Sequence, residues 1–272
     1  MPKNYVRVLT IAGSDSGGGA GVQADLKTFS ALGCYGMSVV TALTAQNTVA
    51  VMAIHEVHPD FVEAQIRAIM DDIGVDAVKI GMLQTPDVIR TVARSLKTYD
   101  IRRIVLDPVM VAKSGDKLLQ DEAIDALKTE LIPLAEIITP NIPEARVLSG
   151  EGIKGIGDME RAATGLLALG SKSVLLKGGH LPGEKGADCL VFRNGERIST
   201  LFIEFERINT VNTHGTGCTL SSAIAAFRAQ NYSISDAVEK AHDYIYQAIL
   251  NGEGYILGQG HGPVMHFYDF WR

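Results

Sequence analysis

Apolar residues along this chain fall into two alternating patterns: short runs that are continuous or of period two, and longer stretches at helical spacing. The first short run, 6–12, reads as a strand and empties into a glycine-rich loop at 13–21. Helical spacing follows over 22–32 and stops at Gly33, a residue that accepts the left-handed turn ending many helices. A buried strand is predicted at 37–42, then a helix opened by Pro59-Asp60 that runs to 70. A strand at 77–80, a helix from Pro86 and a strand at 103–107 ending in an acid come next. The rhythm continues with a helix at 122–131, a strand at 136–138, a short helix at 143–148, a helix at 159–169 ending at Gly170, and a strand at 173–177. Strands that are apolar throughout and separated by helices need cover on both faces, so the pattern predicts an α/β fold around a mainly parallel sheet.

Towards the C-terminus the pattern changes. Residues 188–192 and 197–205 are joined through Asn194-Gly195, the dipeptide best suited to a tight hairpin, which predicts an antiparallel edge. Two helices follow, one at 217–229 and one opened by Ser233-Ile234-Ser235-Asp236, a capping-box spacing with Asp in place of Glu. The weakly patterned stretch 149–157 is short and glycine-rich and reads as a surface loop, so residues 1–272 are expected to form a single domain.

Composition narrows the function classes. A net charge of −6 with no Lys/Arg cluster argues against nucleic acid as a partner. No stretch is long enough to span a bilayer, and the first apolar run lacks the length and cleavage site of a secretion signal, so a cytoplasmic protein without a membrane partner is expected. Cys34, Cys189 and Cys218 lie far apart with no C-x-x-C pair, which predicts free thiols. His55 and His58 have a metal-like spacing, but a surface turn before Pro59 explains them.

The chemistry concentrates in Asn212-Thr213-His214-Gly215-Thr216-Gly217-Cys218-Thr219-Leu220-Ser221-Ser222, small residues leading into the apolar 223–227. Glycines let the backbone approach a ligand, and the first amides of a helix lack internal partners, so this turn suits an anion. The positive helix end would favour the thiolate of Cys218 and make it a base or nucleophile. A helix cap around a buried thiol explains this segment equally well on its own. A second loop, Gly13-Ser14-Asp15-Ser16-Gly17-Gly18-Gly19-Ala20-Gly21, directly after a strand, favours a phosphate-handling cleft.

In an open parallel sheet ligands sit at the carboxyl ends of the strands. Gly13, Gln46-Asn47, Gly81-Met82, Asp107, Asn141 with Glu144, and Lys177-Gly178-Gly179-His180 follow successive predicted strands and would share one rim. Acids at two of these positions could hold Mg²⁺ beside a nucleotide triphosphate, with a lysine neutralising the transferring charge. A Walker-type loop is absent, whereas Gly19-Ala20-Gly21-Val22-Gln23-Ala24 matches a dinucleotide fingerprint. The loop before it is too long for that fold, and no acid follows the second strand to hold a ribose, which weakens an oxidoreductase reading.

Taken together, these segments resemble the hydroxymethylpyrimidine and phosphomethylpyrimidine kinases of thiamine biosynthesis, in the ribokinase-like superfamily. The resemblance rests on Thr10-Ile11-Ala12-Gly13-Ser14-Asp15, the 19–28 segment, Thr41-Ala42-Leu43-Thr44-Ala45-Gln46-Asn47-Thr48, Lys79-Ile80-Gly81-Met82, Leu106-Asp107-Pro108-Val109-Met110, Thr139-Pro140-Asn141-Ile142-Pro143-Glu144, Leu176-Lys177-Gly178-Gly179-His180, the 212–220 run and Gly260-His261-Gly262-Pro263-Val264. It implies a three-layer α/β/α fold with an antiparallel edge hairpin, a homodimer, and ATP- and Mg²⁺-dependent phosphorylation of the hydroxymethylpyrimidine and then of its monophosphate. By the family pattern Gly13, Asp25, Gln46 and Met82 contact the pyrimidine, and Asn141, Lys177 and Thr213 contact the nucleotide phosphates. Asp107 and Glu144 belong to the Mg²⁺ region. The amides of Gly215, Thr216, Gly217 and Cys218 stabilise the transferring phosphoryl, with Cys218 as base or as the group that orients the hydroxyl. Related pyridoxal kinases tend to lack the 45–48 run, so its presence favours the pyrimidine; pyridoxal is the alternative substrate, and a non-catalytic vitamin-binding protein the alternative class. The Lys113-Ser114-Gly115-Asp116 loop and the Gly183-Glu184-Lys185-Gly186 turn are expected to close over the nucleotide.

Overall fold

Residues 3–110 and 119–271 are described by the computed structural model. In chain order the strands are β1 (Arg7–Ala12), β2 (Tyr35–Val40), β3 (Ala42–Gln46), β4 (Val51–Glu56), β5 (Ala77–Ile80), β6 (Ile104–Leu106), β7 (Ile137–Ile138), β8 (Ser173–Leu176), β9 (Lys185–Asn194) and β10 (Arg197–Glu206). The α-helices are α1 (Gly21–Ala31), α2 (Pro59–Met70), α3 (Pro86–Thr98), α4 (Asp121–Ala126), α5 (Ile142–Ser149), α6 (Ile156–Leu166), α7 (Thr216–Ala229) and α8 (Ile234–Gly252).

Eight strands form one sheet in the order β10-β9-β8-β7-β6-β5-β1-β2. Pairing is parallel from β2 through β1, β5, β6 and β7 to β8, and antiparallel from β8 to β9 and β9 to β10. Side chains alternate between two cores. Val8, Ala77, Val105, Ile137, Leu175 and Leu190 pack towards α1, α7 and α8, while Leu9, Val78, Leu106, Ile138, Val174 and Val191 pack towards α2 to α6. With both faces covered, apolar positions need no polar alternation, which is why these strands read as continuous runs. Fully burying each such Val, Leu or Ile contributes about 1.5–3 kcal/mol.

Three expectations change. The strand predicted at 37–42 ends at Val40; the chain then leaves the sheet, and Ala42–Gln46 pairs antiparallel with Val51–Glu56 as a separate ribbon. No position of β4 is buried, so its sequence carries no apolar period to betray it. Gln46 therefore reaches the rim from a ribbon, not from the sheet. The helix expected at 122–131 is α4 followed by a wide π turn over Leu127–Leu131. The hairpin around Asn194-Gly195 forms but is longer than expected, so Lys185 and Gly186 of the expected lid are strand residues, with Lys185 ion-paired to Glu206 at 3.1 Å. The Lys113–Asp116 lid segment lies outside the described residues.

His58 caps α2, accepting from the Asp60 amide, and the three cysteines are free thiols. Among the described residues no helix is long and apolar enough to cross a membrane.

Candidate active site

The two glycine loops meet. Gly215, with φ of +79°, caps α7 in the left-handed region, and a Cβ there would stand 1.8 Å from the Gly19 carbonyl oxygen. Only glycine allows both the conformation and the approach. The amides of Gly217 and Cys218 open α7 and have no carbonyl one turn earlier in the helix to accept them, while the Thr216 amide makes a long bond of 3.4 Å to the Thr213 carbonyl. A Cβ on Gly217 would lie 3.3 Å from Lys177 Nζ and 3.6 Å from Asp107 Oδ2, so the turn, the lysine and the acid share one point.

Asp107, just past β6, accepts from Lys177 Nζ at 2.9 Å and Thr139 Oγ1 at 3.0 Å. Burial works against its charge, but the ammonium groups of Lys177 and Lys79 outweigh that and hold its pKa below the ordinary carboxylate value. Glu144 completes a capping box on α5: its amide donates to Asn141 Oδ1 at 2.9 Å, and its carboxyl accepts the Asn141 amide at 2.8 Å. Burial, aided by the nearby Asp107 charge and only partly offset by Lys177, pushes Glu144 up to about 7. One capping motif thus places two predicted site residues at once.

Cys218 departs from expectation. Its burial outweighs the Lys79 charge and the Gly21 amide, and Asp25 and Asp107 add to the effect, so the thiol is pushed up to about 11. The helix terminus does not produce a resting thiolate.

Asp25 is also displaced from its expected place. It is fully buried behind the cavity wall, where both its oxygens accept Lys79 Nζ at 2.9 Å. Thr10 Oγ1 and Ser222 Oγ each donate to it at 2.6 Å. Lys79 is fully buried as well; desolvation opposes its charge, yet Asp25 together with the other nearby acids, Asp107 among them, outweighs that and raises its pKa. Helical spacing alone could not tell an inward acid on α1 from one facing the rim.

Gly13, Gln46, Met82, Asp107, Asn141, Glu144, Lys177, Thr213 and the Gly215 to Cys218 turn all line one cavity of about 670 Å³. Gly13 sits against Met82, where a Cβ would come 3.1 Å from the sulfur. Ala42, Met82 and the partly buried Ile54 and Val109 form a small apolar group beside them. The sequence reading missed the apolar part of the lining, where Phe205, Ile208, Leu220, Ile245 and Ile249 bring apolar surface from β10 and the loop after it, α7 and α8. It also gave no role to Asp15 or His214, whose Oδ2 and Nε2 lie 2.8 Å apart. Asp15 lies in the glycine loop that the sequence placed after a strand, the signal used for the other rim residues, but a contact with a residue 199 positions away has no signature in the sequence.

Comparison with known proteins follows this geometry. The profile of the phosphomethylpyrimidine kinase family matches residues 15–265. The hydroxymethylpyrimidine/phosphomethylpyrimidine kinase of Escherichia coli (strain K12) is 46% identical over 267 residues, covering 98% of this chain and 99% of its own. A crystal structure of phosphomethylpyrimidine kinase from Clostridium difficile superposes with a TM-score of 0.78 at 49% identity, over 89% of this chain and 99% of that one. The ADP complex of Bacillus subtilis pyridoxal kinase superposes with a TM-score of 0.86 at 42% identity, over 97% and 98% of the two chains. The geometry and these similarities agree, and the chain belongs to the phosphomethylpyrimidine kinase family.

Proposed function

We propose that this chain is a kinase of thiamine biosynthesis that transfers a phosphoryl group from ATP to 4-amino-5-hydroxymethyl-2-methylpyrimidine and then to its monophosphate. The observation that carries the reading is the convergence of every expected site residue except Asp25 on one cavity, in a chain of this family. The apolar end, with Ile208, Ile245 and Ile249, suits a nucleobase, and Asn141, Lys177 and Thr213, which line the same cavity, would hold its phosphates. The ADP-bound relative supports a nucleotide donor.

Asp107 and Glu144 fit Mg²⁺. They are hard oxygen donors, and the Asp107 charge that helps to raise the Glu144 pKa would be relieved by a divalent cation. Mg²⁺ in such sites takes one or two carboxylates with substrate phosphates and water, and would neutralise charge on those phosphates. At the other end Gln46 offers a donor and an acceptor to the aminopyrimidine edge, beside Gly13 and Met82. Asp25 serves from behind, through Lys79. In the first transfer a bond forms from the hydroxyl oxygen to the γ-phosphorus, the bond from that phosphorus to the leaving ADP breaks, and the hydroxyl proton passes to solvent; in the second a phosphate oxygen of the monophosphate attacks in the same way, with no hydroxyl proton to remove. The amides of Gly215 to Cys218 stabilise the charge on the passing phosphoryl. A neutral Cys218 thiol orients the hydroxyl, because a loose transition state demands little of a base. The same reading takes the protein as a single-domain cytoplasmic homodimer, a pairing supported by exposed Leu43, Val49 and Met52 on the β3 and β4 ribbon.

A second reading, pyridoxal as acceptor, is favoured by the likeness to the Bacillus subtilis pyridoxal kinase. Mass-spectrometric product analysis after incubation with Mg-ATP and, separately, the pyrimidine, its monophosphate or pyridoxal decides between them. Conversion of the monophosphate to the pyrophosphate is expected; conversion of pyridoxal alone would overturn the pyrimidine assignment.

A further inference from the structure

Asp15 lines the cavity wall, yet its carboxylate is turned away from any ligand. It is 2% exposed and collects four donors. Oδ1 accepts the Gly17 amide at 2.8 Å, and Oδ2 accepts the Gly19 amide at 3.1 Å, the Ala20 amide at 2.8 Å and His214 Nε2 at 2.8 Å. Because a carboxylate with three amide donors only accepts, the contact is a hydrogen bond with the imidazole proton on Nε2, the nitrogen that also stands 3.5 Å from Gln46 Nε2. Three of these bonds shape the first glycine loop; the fourth crosses to the residue immediately before Gly215. The crossing is close-packed: a Cβ on Gly19 would stand 2.4 Å from His214 Cδ2, and one on Gly215 would run into the Gly19 carbonyl. On its other side the His214 amide donates to the Gly262 carbonyl at 3.0 Å, so the residue is held at both backbone and ring.

We propose that Asp15 and His214 are positioning residues for phosphoryl transfer, a clasp that sets the amides of Gly215 to Cys218 at a fixed distance from Gly13 and the acceptor bound beside it. The inference rests on the reading of this cavity as a phosphoryl-transfer site. The two reactants bind to different parts of the chain, the acceptor to the first loop and the β3 ribbon, the transferring group to the start of α7. Their alignment is only as good as the link between those parts, and a misplacement of about 1 Å can cost about 100-fold in rate. The clasp supplies that link in side-chain form, with the ring of one loop seated on the carboxylate of the other.

The test separates alignment from folding. His214→Phe keeps the bulk and removes the donor, while Asp15 retains its three amides; His214→Gln places an N–H near the position of Nε2. We expect His214→Phe to lower kcat by about 10- to 100-fold with KM for ATP nearly unchanged, and His214→Gln to restore most of the rate. Equal rates in the two variants, whether both native or both low, would overturn the proposal. Should His214→Phe not fold, a cycle of Asp15→Asn, His214→Gln and the double variant replaces it: non-additive losses in kcat support the clasp, additive losses refute it. All measurements use whichever acceptor the wild-type protein phosphorylates, so a wrong choice of acceptor shows in the wild-type products and leaves the test intact.

Discussion

Two lysine–aspartate pairs stand side by side in this molecule and do opposite work. Lys79–Asp25 and Lys177–Asp107 both close at 2.9 Å, and both lysines belong to the carboxyl half of a parallel strand or its edge. The first pair is sealed: Lys79 stands in the wall of the cavity, but both side chains are at 0% exposure, and its acid lies behind that wall, saturated by Thr10 and Ser222 in addition to the lysine. The second faces the cavity, where Glu144 stands beside it and the start of α7 closes against it. An ion pair alone therefore says little about function. What separates a structural pair from a chemical one is whether its remaining valences are used up inside the protein or left facing a ligand.

The comparison can be broken most severely at the sealed pair. Lys79→Met should leave the Asp25 charge buried without its cation and destabilise the fold by about 3–5 kcal/mol, read as a fall in the denaturant midpoint; Lys79→Met with Asp25→Asn should recover much of that loss. A single variant as stable as wild type would show that the pair is not a structural unit. At the open pair the expectation reverses. Lys177→Met should lower kcat by about 10²–10³-fold with a far smaller change in unfolding midpoint, and a large loss of stability with normal turnover would collapse the distinction.

Cys218 sits between the two pairs and sharpens the contrast further. With its thiol pushed up to about 11 by burial, Cys218 acts by orientation, so Cys218→Ala should slow turnover by about 10²-fold and alter substrate KM little, whereas a wild-type rate would remove the thiol from the mechanism. The smallest effect belongs to Glu144. Its pKa, about 7 in the fold against an ordinary 4.5, means that the native state holds this proton more tightly than the unfolded chain. The stabilisation is complete below about 4.5 and is lost as pH rises towards about 7. Glu144→Gln should flatten the fall of Tm over that window; an unchanged slope would assign the pH dependence to other groups.

Much of this site was legible before the fold was known, because a parallel sheet delivers the residues after its strands to one rim. Gly13, Met82, Asp107, Asn141, Glu144 and Lys177 were all found by that rule, and all line the cavity. Asp25 came from the family resemblance and not from that rule, and its direction is not legible from its position. Asp25 lies on α1 beside the glycine loop, yet it faces Thr10 and Ser222 in the core. The expectation for Cys218 failed for a related reason: a helix terminus is visible in sequence, but the burial that outweighs it is not. The apolar end of the cavity was missed because Ile208, Ile245 and Ile249 look like ordinary helix and strand residues until β10 and α8 are brought together.

Local periodicity, turn chemistry and residue identity were enough to read the alternation of strands and helices in the main sheet and its cover, the hairpin at Asn194-Gly195, the two glycine turns and the family from the sequence. Tertiary structure alone decided that β3 and β4 leave the sheet, that one lysine–aspartate pair is sealed and the other open, that Cys218 rests as a thiol, and that Asp15 reaches across to His214. Those outcomes depend on desolvation and on contacts between residues as far apart in the chain as Asp15 and His214, and neither is encoded in any short stretch of it.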